Sequence, residues 1–334
     1  IKPGYYKLTV SSVGFEMVMS DEFQVTNAKT TFTDVALKEK TFKLEDVVVR
    51  PNSFRKVEES PVALKSIGIK EIEKSPGANR DISKVIQVLP GVASGVAYRN
   101  DLIVRGGGPS ENRFLLDGIE IPNLNHFGTQ GASGGSVGII NSDFLREVDF
   151  FTGAFPANRG NVLSSVLDMK LIDGNPDKMV YRTTIGASEF GASLSGPIGE
   201  KTTMLFSARR SYLQFLFQAL KLPFLPTFND YTLKIKTKFD QKNELTFLSI
   251  GSLDKSVLNT GIENPTEEQQ YILNYLPSYD QWTYAIGAVY RHYRDNSFDT
   301  WVLSRNMLNN ESAKYENNVE NGVPVLTYGS QEIE

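Results

Sequence analysis

The chain has 334 residues, a formal net charge of −4, no cysteine and two histidines, His126 and His292. That balance excludes a nucleic-acid binder built on a basic stripe, and the missing thiols exclude disulfides, thiolate metal sites and cysteine nucleophiles. Two histidines also argue against a histidine-based zinc site and against a Ser-His-Asp triad, so neither metal, cofactor nor enzymatic activity is expected.

The length allows two or three domains. Residues 1–43 read as short strands: Tyr5–Val10, a break at Val13-Gly14-Phe15, then Phe23–Val25 and Thr30–Leu37. Ile1-Lys2-Pro3-Gly4 lacks a charged start followed by an apolar core, so the chain is expected to begin in mid-domain. Leu44–Pro51 sets a valine triplet between two acids and an Arg-Pro stop, the pattern of one isolated strand, and the polar tract Asn52–Ser60 follows it.

A second unit spans 62–173. Val62-Ala63-Leu64 opens it as a short strand, and Ile69–Lys74 suits a helical turn that Ser75-Pro76-Gly77 ends. Asp81 is placed to cap a helix over Ile82–Val88, with Ile82, Val85, Ile86 and Leu89 on one face and Pro90-Gly91 as its stop. Leu102–Arg105 and Arg113–Ile121 are strands separated by a glycine cluster and a proline, and Asp117-Gly118 is a turn dipeptide inside the second. Arg105-Gly106-Gly107-Gly108 could suggest a phosphate cradle, but neither Lys-Ser/Thr nor a helical pattern follows. A Gly/Ser-rich tract over 128–138 and a strand over Phe144–Phe151 complete the unit.

From about 179 the rhythm becomes long alternating runs: Met179–Leu194, Thr202–Tyr212, Tyr231–Phe239, Glu244–Gly251, Trp282–Tyr293 and Phe298–Leu308, about six strands. Tyr231, Leu233, Ile235, Thr237 and Phe239 share one face, and Thr232, Lys234, Lys236 and Lys238 the other. No run of about eighteen apolar residues offers a membrane helix, but strands of about nine to eleven residues cross a membrane at low average hydropathy, with polar side chains facing a wet lumen. Connections alternate between short (196–201, 240–243, 295–297) and long (213–228, 252–280, after 308), the asymmetry of an outer-membrane barrel. Within 213–228, Leu213, Leu216, Phe217 and Leu220 share a helical face.

These motifs carry a resemblance. Leu102-Ile103-Val104-Arg105-Gly106 followed by Leu115-Leu116-Asp117-Gly118-Ile119-Glu120-Ile121, with Val88-Leu89-Pro90-Gly91-Val92 ahead of them, is similar to the plug-domain signature of TonB-dependent outer-membrane receptors. Phe144–Phe151 matches the strand leading to that family's "PAxYG" ending, and Pro3–Phe15 resembles the last part of the carboxypeptidase regulatory-like β-sandwich that receptors of the Bacteroidetes type carry. Leu163–Lys170 departs from the closing motif of typical siderophore receptors and from that of the glycan-importing receptors, which weakens both substrate classes.

The resemblance implies a mainly β chain: a truncated sandwich (1–43), a TonB box and linker (44–61), an α+β plug domain (62–173), and the first strands of a large antiparallel transmembrane β-barrel (174–334). Plugged transporter barrels have about twenty-two strands, so most of the wall is expected beyond Glu334. It implies transport rather than catalysis, in a bacterial outer membrane with the N-terminal part periplasmic. The expected partners are a TonB-type energy-coupling protein, outer-membrane lipids and, further, a surface lipoprotein or other outer-membrane subunits. The competing reading is a non-transporting structural or assembly subunit that keeps the receptor fold.

Glu45, Asp46, Val47, Val48 and Val49 would be the TonB box, gripped by strand addition. Tyr98, Arg99, Ser110, Glu111, Asn112, Asn125, His126 and Phe127 fall at the plug apices and would face substrate. Arg105 and Arg159 would tie plug to wall. The substrate itself is not legible.

Overall fold

The computed structural model describes residues 4–6, 8–11, 18–19, 23–25, 64–68, 72, 75, 81–95, 99–128, 132, 135, 137–186, 188–320 and 322–333. The chain divides into two compact units, 1–49 and 50–334. In the first, β1 (Gly4–Tyr6) pairs antiparallel with β4 (Phe23–Val25), and β2 (Thr9–Val10) with β3 (Val18–Met19). Segment 30–37 and the proposed box at 45–49 lie outside the described residues.

The second unit holds the plug sheet. Its strands β5 (Leu64–Gly68), β8 (Asn112–Leu116), β9 (Ile119–Ile121), β10 (Leu145–Phe151) and β11 (Ser165–Leu171) are ordered β5-β10-β11-β8-β9, antiparallel except for β8–β11. β6 (Val92–Ser94) pairs with β7 (Leu102–Val104) beside it. Asp117 and Gly118 both take positive φ (51° and 93°), the two-residue turn that joins β8 to β9. The Asp81 carboxylate accepts the Ser83 N–H at 2.9 Å and starts α1 (Ile82–Gln87), which buries Ile82, Val85 and Ile86 as the periodicity predicts.

The opening strand is present over Leu64–Gly68 and so runs past the expected end at Leu64, while residues 62 and 63 lie outside the described residues. Within the glycine cluster, Gly107 is packed, since a Cβ there would come within 2.6 Å of the Ser164 Oγ, and Gly106 takes a positive φ of 82°.

Eight strands, against the six expected, then run as an uninterrupted antiparallel meander: β12 (Val180–Ile185), β13 (Glu189–Pro197), β14 (Thr202–Ser211), β15 (Phe224–Lys238), β16 (Asn243–Leu258), β17 (Ser278–Tyr293), β18 (Phe298–Tyr315) and β19 (Pro324–Ile333). The 179–194 run is broken by a short connection after Ile185, and β19 lies beyond the last strand read. β15–β18 extend past the runs identified, because polar residues such as Ser252, Asp254 and Gln281 belong to strands and are buried on the inward side. The predicted helix in 213–228 is present as α2 (Leu213–Ala219), while 224–228 belong to β15. α3 (Glu267–Tyr275) carries a capping box in which Thr266 and Gln269 satisfy each other's backbone N–H. No described helix is long and apolar enough to cross a membrane.

The wall is two-faced. Inward Leu205, Leu248, Ile250, Ala285 and Val289 share one core with plug residues Leu116, Ile119 and Ile121. Outward Tyr181, Ile185, Phe190, Leu253, Trp301 and Leu303 are exposed, an apolar surface of the kind lipid covers. A Cβ on Gly287 would meet the Leu303 carbonyl at 2.7 Å and Ile119 Cδ1 at 2.9 Å, so the absent side chain lets β9 lie close against β17.

Candidate functional site at the plug–wall interface

Two polar anchors fasten the plug sheet and its outer loop to the inner face of the wall. The first lies at the β8–β9 turn, toward the short connections. Lys234, 3% exposed and inward on β15, places its Nζ 3.0 Å from Asp117 Oδ2, 3.0 Å from Asp173 Oδ1 and 3.0 Å from the Leu171 carbonyl. Lys236, two residues on and therefore on the same face, lies 3.0 Å from Asp173 Oδ2 and 3.4 Å from Glu244 Oε2. Burial works against ionisation of Asp173, but Lys234 and Lys236 outweigh it and hold its carboxyl down to about 2. The even-numbered face of β15 thus carries charge inward as the alternation predicts, and the lysines meet plug carboxylates.

The second anchor is His126. Its ring is fully buried, with Nδ1 2.7 Å from Asp254 Oδ1 and Nε2 3.0 Å from Asp230 Oδ2, and it stacks on Phe228 at 4.1 Å. Asp254 Oδ2 also accepts the Phe127 N–H at 2.8 Å. Asp230 Oδ1 accepts from Arg209 Nε at 3.0 Å. A second nitrogen of Arg209 donates to the carbonyls of Gly138 (2.9 Å) and Ile139 (2.7 Å).

Of the residues expected at the plug apices, Ser110 is exposed and Glu111 half-buried, in a single 3-10 turn at Pro109–Glu111. β8 and β9 pair antiparallel, which sets this turn at the same end of the hairpin as residues 122–128. Arg99 donates to Asp101 at 2.7 Å, and Tyr98 lies outside the described residues. Asn112 is a strand residue whose amide donates to the Leu102 carbonyl at 2.7 Å. Asn125 is wholly buried, accepting from Ser83 at 3.2 Å and Asn100 at 3.3 Å. Phe127 is half-buried with φ 55° and meets Phe228 edge-on at 6.4 Å. Asn125 and His126 therefore face neighbours in the protein, not an open lumen.

The two arginines expected to reach the wall stay within the plug among the described residues. Arg159 pairs with Asp168 of β11, and the Arg105 side chain lies over Gly153 and Gly91. The cations that bridge the interface come instead from the wall: Lys234, Lys236, Arg209 and Arg182, the last 3.0 Å from Asp143. Inward parity on a barrel strand is their only sequence signal, legible for the lysines in the 231–239 alternation.

A sheet wall with an apolar outer face and a separate α+β domain packed on its inner face has the arrangement of part of a plugged β-barrel. Residues 56–163 match the family described as TonB-dependent receptor plug domain. Among solved structures, a variant of the ferric enterobactin receptor PfeA from Pseudomonas aeruginosa, in complex with enterobactin, is 15% identical with a TM-score of 0.56, covering 82% of this chain and 45% of that one. The siderophore receptor PirA from Acinetobacter baumannii is similar at 15% identity and TM-score 0.54 (81% and 43% covered). The outer membrane transporter YddB from Escherichia coli follows at 14% and 0.51 (80% and 42%). No curated protein matches. The chain spans less than half the length of these solved relatives, and at such identities the likeness is one of fold. Plug match and likeness of fold together support a place in the bacterial outer membrane, the plug toward the periplasmic side.

Proposed function

We propose that the protein binds an extracellular nutrient and imports it by an energy-coupled rearrangement of the plug, driven by a TonB-type protein that adds a strand along Glu45–Val49. One observation carries the reading: among the described residues, no strand of the plug sheet pairs with a strand of the wall. The plug is held by side chains, so it can shift without tearing a backbone ladder, as a gate requires. Substrate would be met at the outer end of the plug by the Pro109–Glu111 turn, with Tyr98 and Arg99 as further contacts. A surface lipoprotein or another outer-membrane subunit would complete the assembly.

The test uses the full-length protein in its native membrane. The ligand that co-purifies with it is identified, and its accumulation in cells is compared with that of a Val48→Pro variant, in which the strand partner loses a backbone donor. Retained surface binding with lost accumulation supports import. Accumulation unchanged by Val48→Pro, or no accumulation in either, sinks it and leaves the structural or assembly subunit as the better account.

A further inference from the structure

The His126 anchor does more than fill space. Both ring nitrogens face carboxylate oxygens, which only accept hydrogen bonds, so the pair of contacts at 2.7 and 3.0 Å requires a proton on each nitrogen. The ring is therefore an imidazolium. Each carboxylate spends its second oxygen on another group: Asp254 on the Phe127 N–H, Asp230 on Arg209. Arg209 in turn holds the carbonyls of Gly138 and Ile139.

Residues 126–127 and 138–139 are the two sides of one loop base. The His126 N–H donates to Val137 O at 2.8 Å and the Ile139 N–H to Leu124 O at 2.8 Å, with a bridge between Asn125 and Gly138. A Cβ on Gly135 would collide with the His126 carbonyl at 1.6 Å, so the backbone at 135 lies tight against that of the histidine. One continuous set of charges thus grips both feet of the loop and fixes them to β14, β15 and β16.

We propose that His126, Asp230, Asp254 and Arg209 form a charge clasp on the paired segments 124–127 and 137–139, and that loss of the one imidazolium proton opens this pairing locally while the plug sheet stays seated on Lys234. This concerns how the plug is fastened, and it stands whether or not the protein transports. The charged groups facing the ring are Asp230 on β15 and Asp254 on β16. Arg209 on β14 and Glu189 on β13, 3.4 Å apart, form the next shell, and Asp81 at the start of α1 lies beyond Asn125 and Asn100.

Burial opposes the imidazolium, but Asp254 and Asp230 outweigh it and lift the ring from its usual 6.5 to about 9. A raised value stabilises the clasped state fully below about 6.5 and is spent by about 9, so between those limits loop opening rises about tenfold per pH unit for a single proton.

The experiment is hydrogen exchange on the full-length protein in micelles between about pH 6 and pH 9, corrected for intrinsic exchange, with ¹⁵N-histidine spectra assigned by loss of one signal in His126→Gln. The expected result is a His126 midpoint near 9. Exchange in 122–128 and 137–140 should climb with pH while 165–171 holds. His126→Gln should be open at every pH. Asp254→Asn, which keeps the shape and one carboxylate, should move the midpoint back toward the ordinary histidine value. A midpoint at or below the ordinary value, pH-independent loop exchange, or opening of loop and sheet together overturns the clasp.

Discussion

Replacing Lys234 with methionine removes the single cation that joins the β8–β9 turn, the exit of β11 and the wall. At 3.0 Å from Asp117 and from Asp173, each contact is worth about 5 kcal/mol by Coulomb's law at an effective dielectric of about 20, before desolvation is charged against it. Truncating one member of a buried pair leaves the other uncompensated, which costs about 3–5 kcal/mol. Asp173 keeps Lys236, so the loss falls mainly on Asp117, and about 3 kcal/mol is expected. The wall masks such a change in global melting. It should instead be read as hydrogen exchange of 112–121 and 165–171 in the full-length protein, in a cycle of Lys234→Met, Asp117→Asn and the double variant. Faster exchange by about two powers of ten in each single variant, with the double little worse than either, is the expected pattern. Additive single effects, or plug exchange unchanged in Lys234→Met, would refute the anchor.

Three further outcomes follow from the same contacts. Gly287→Val should push β9 off the wall, because its Cβ meets Ile119 Cδ1 at 2.9 Å while the Leu303 carbonyl of β18, at 2.7 Å, leaves it no room on the other side; a loss of about 1–3 kcal/mol should show as faster exchange in 119–121. Asp81→Ala removes the cap on Ser83 and the 2.8 Å contact from Asn100, costing about 1 kcal/mol or somewhat more and fraying 82–87 in the same measurement. Acid should spare the Lys234 anchor until late: a depressed carboxyl stabilises above its unfolded value of 3.8 and loses that contribution as pH falls through about 2, so exchange in 165–171 should stay flat down to pH 3.8 and rise below it.

What the sequence disclosed was local. The Asp117-Gly118 turn, the α1 cap at Asp81, the helix after Tyr212 and the alternation of 231–239 all rest on residues within a few positions of each other, and all are present. The strand count fell short because lumen-facing strands do not read as apolar: Ser252, Asp254 and Gln281 resemble a polar loop until a plug is placed opposite them. The site failed for a related reason. His126 looks like a loop histidine in water, and the carboxylates that bury it lie 104 and 128 residues further along. Arg159 finds its carboxylate, Asp168, inside the plug nine residues along the chain, and charge does not say in advance which carboxylate is near.

The two anchors differ in what stands behind them, and this decides which part of the plug can move. Behind Lys234 lies the shared core: lifting the sheet from the wall exposes Leu205, Leu248, Ile250 and Val289, at about 1.5–3 kcal/mol each, or about 10 kcal/mol in all before any ion pair is counted. Behind His126 lies a loop base. A shift from 6.5 to about 9 corresponds to about 3 kcal/mol for the clasp's proton, and the loop beyond it is rich in glycine. Loss of that proton therefore weakens the loop base by about 3 kcal/mol and leaves the shared core behind Lys234 untouched. The arrangement favours a plug that yields first at its outer loop and keeps its core in place, over one expelled whole.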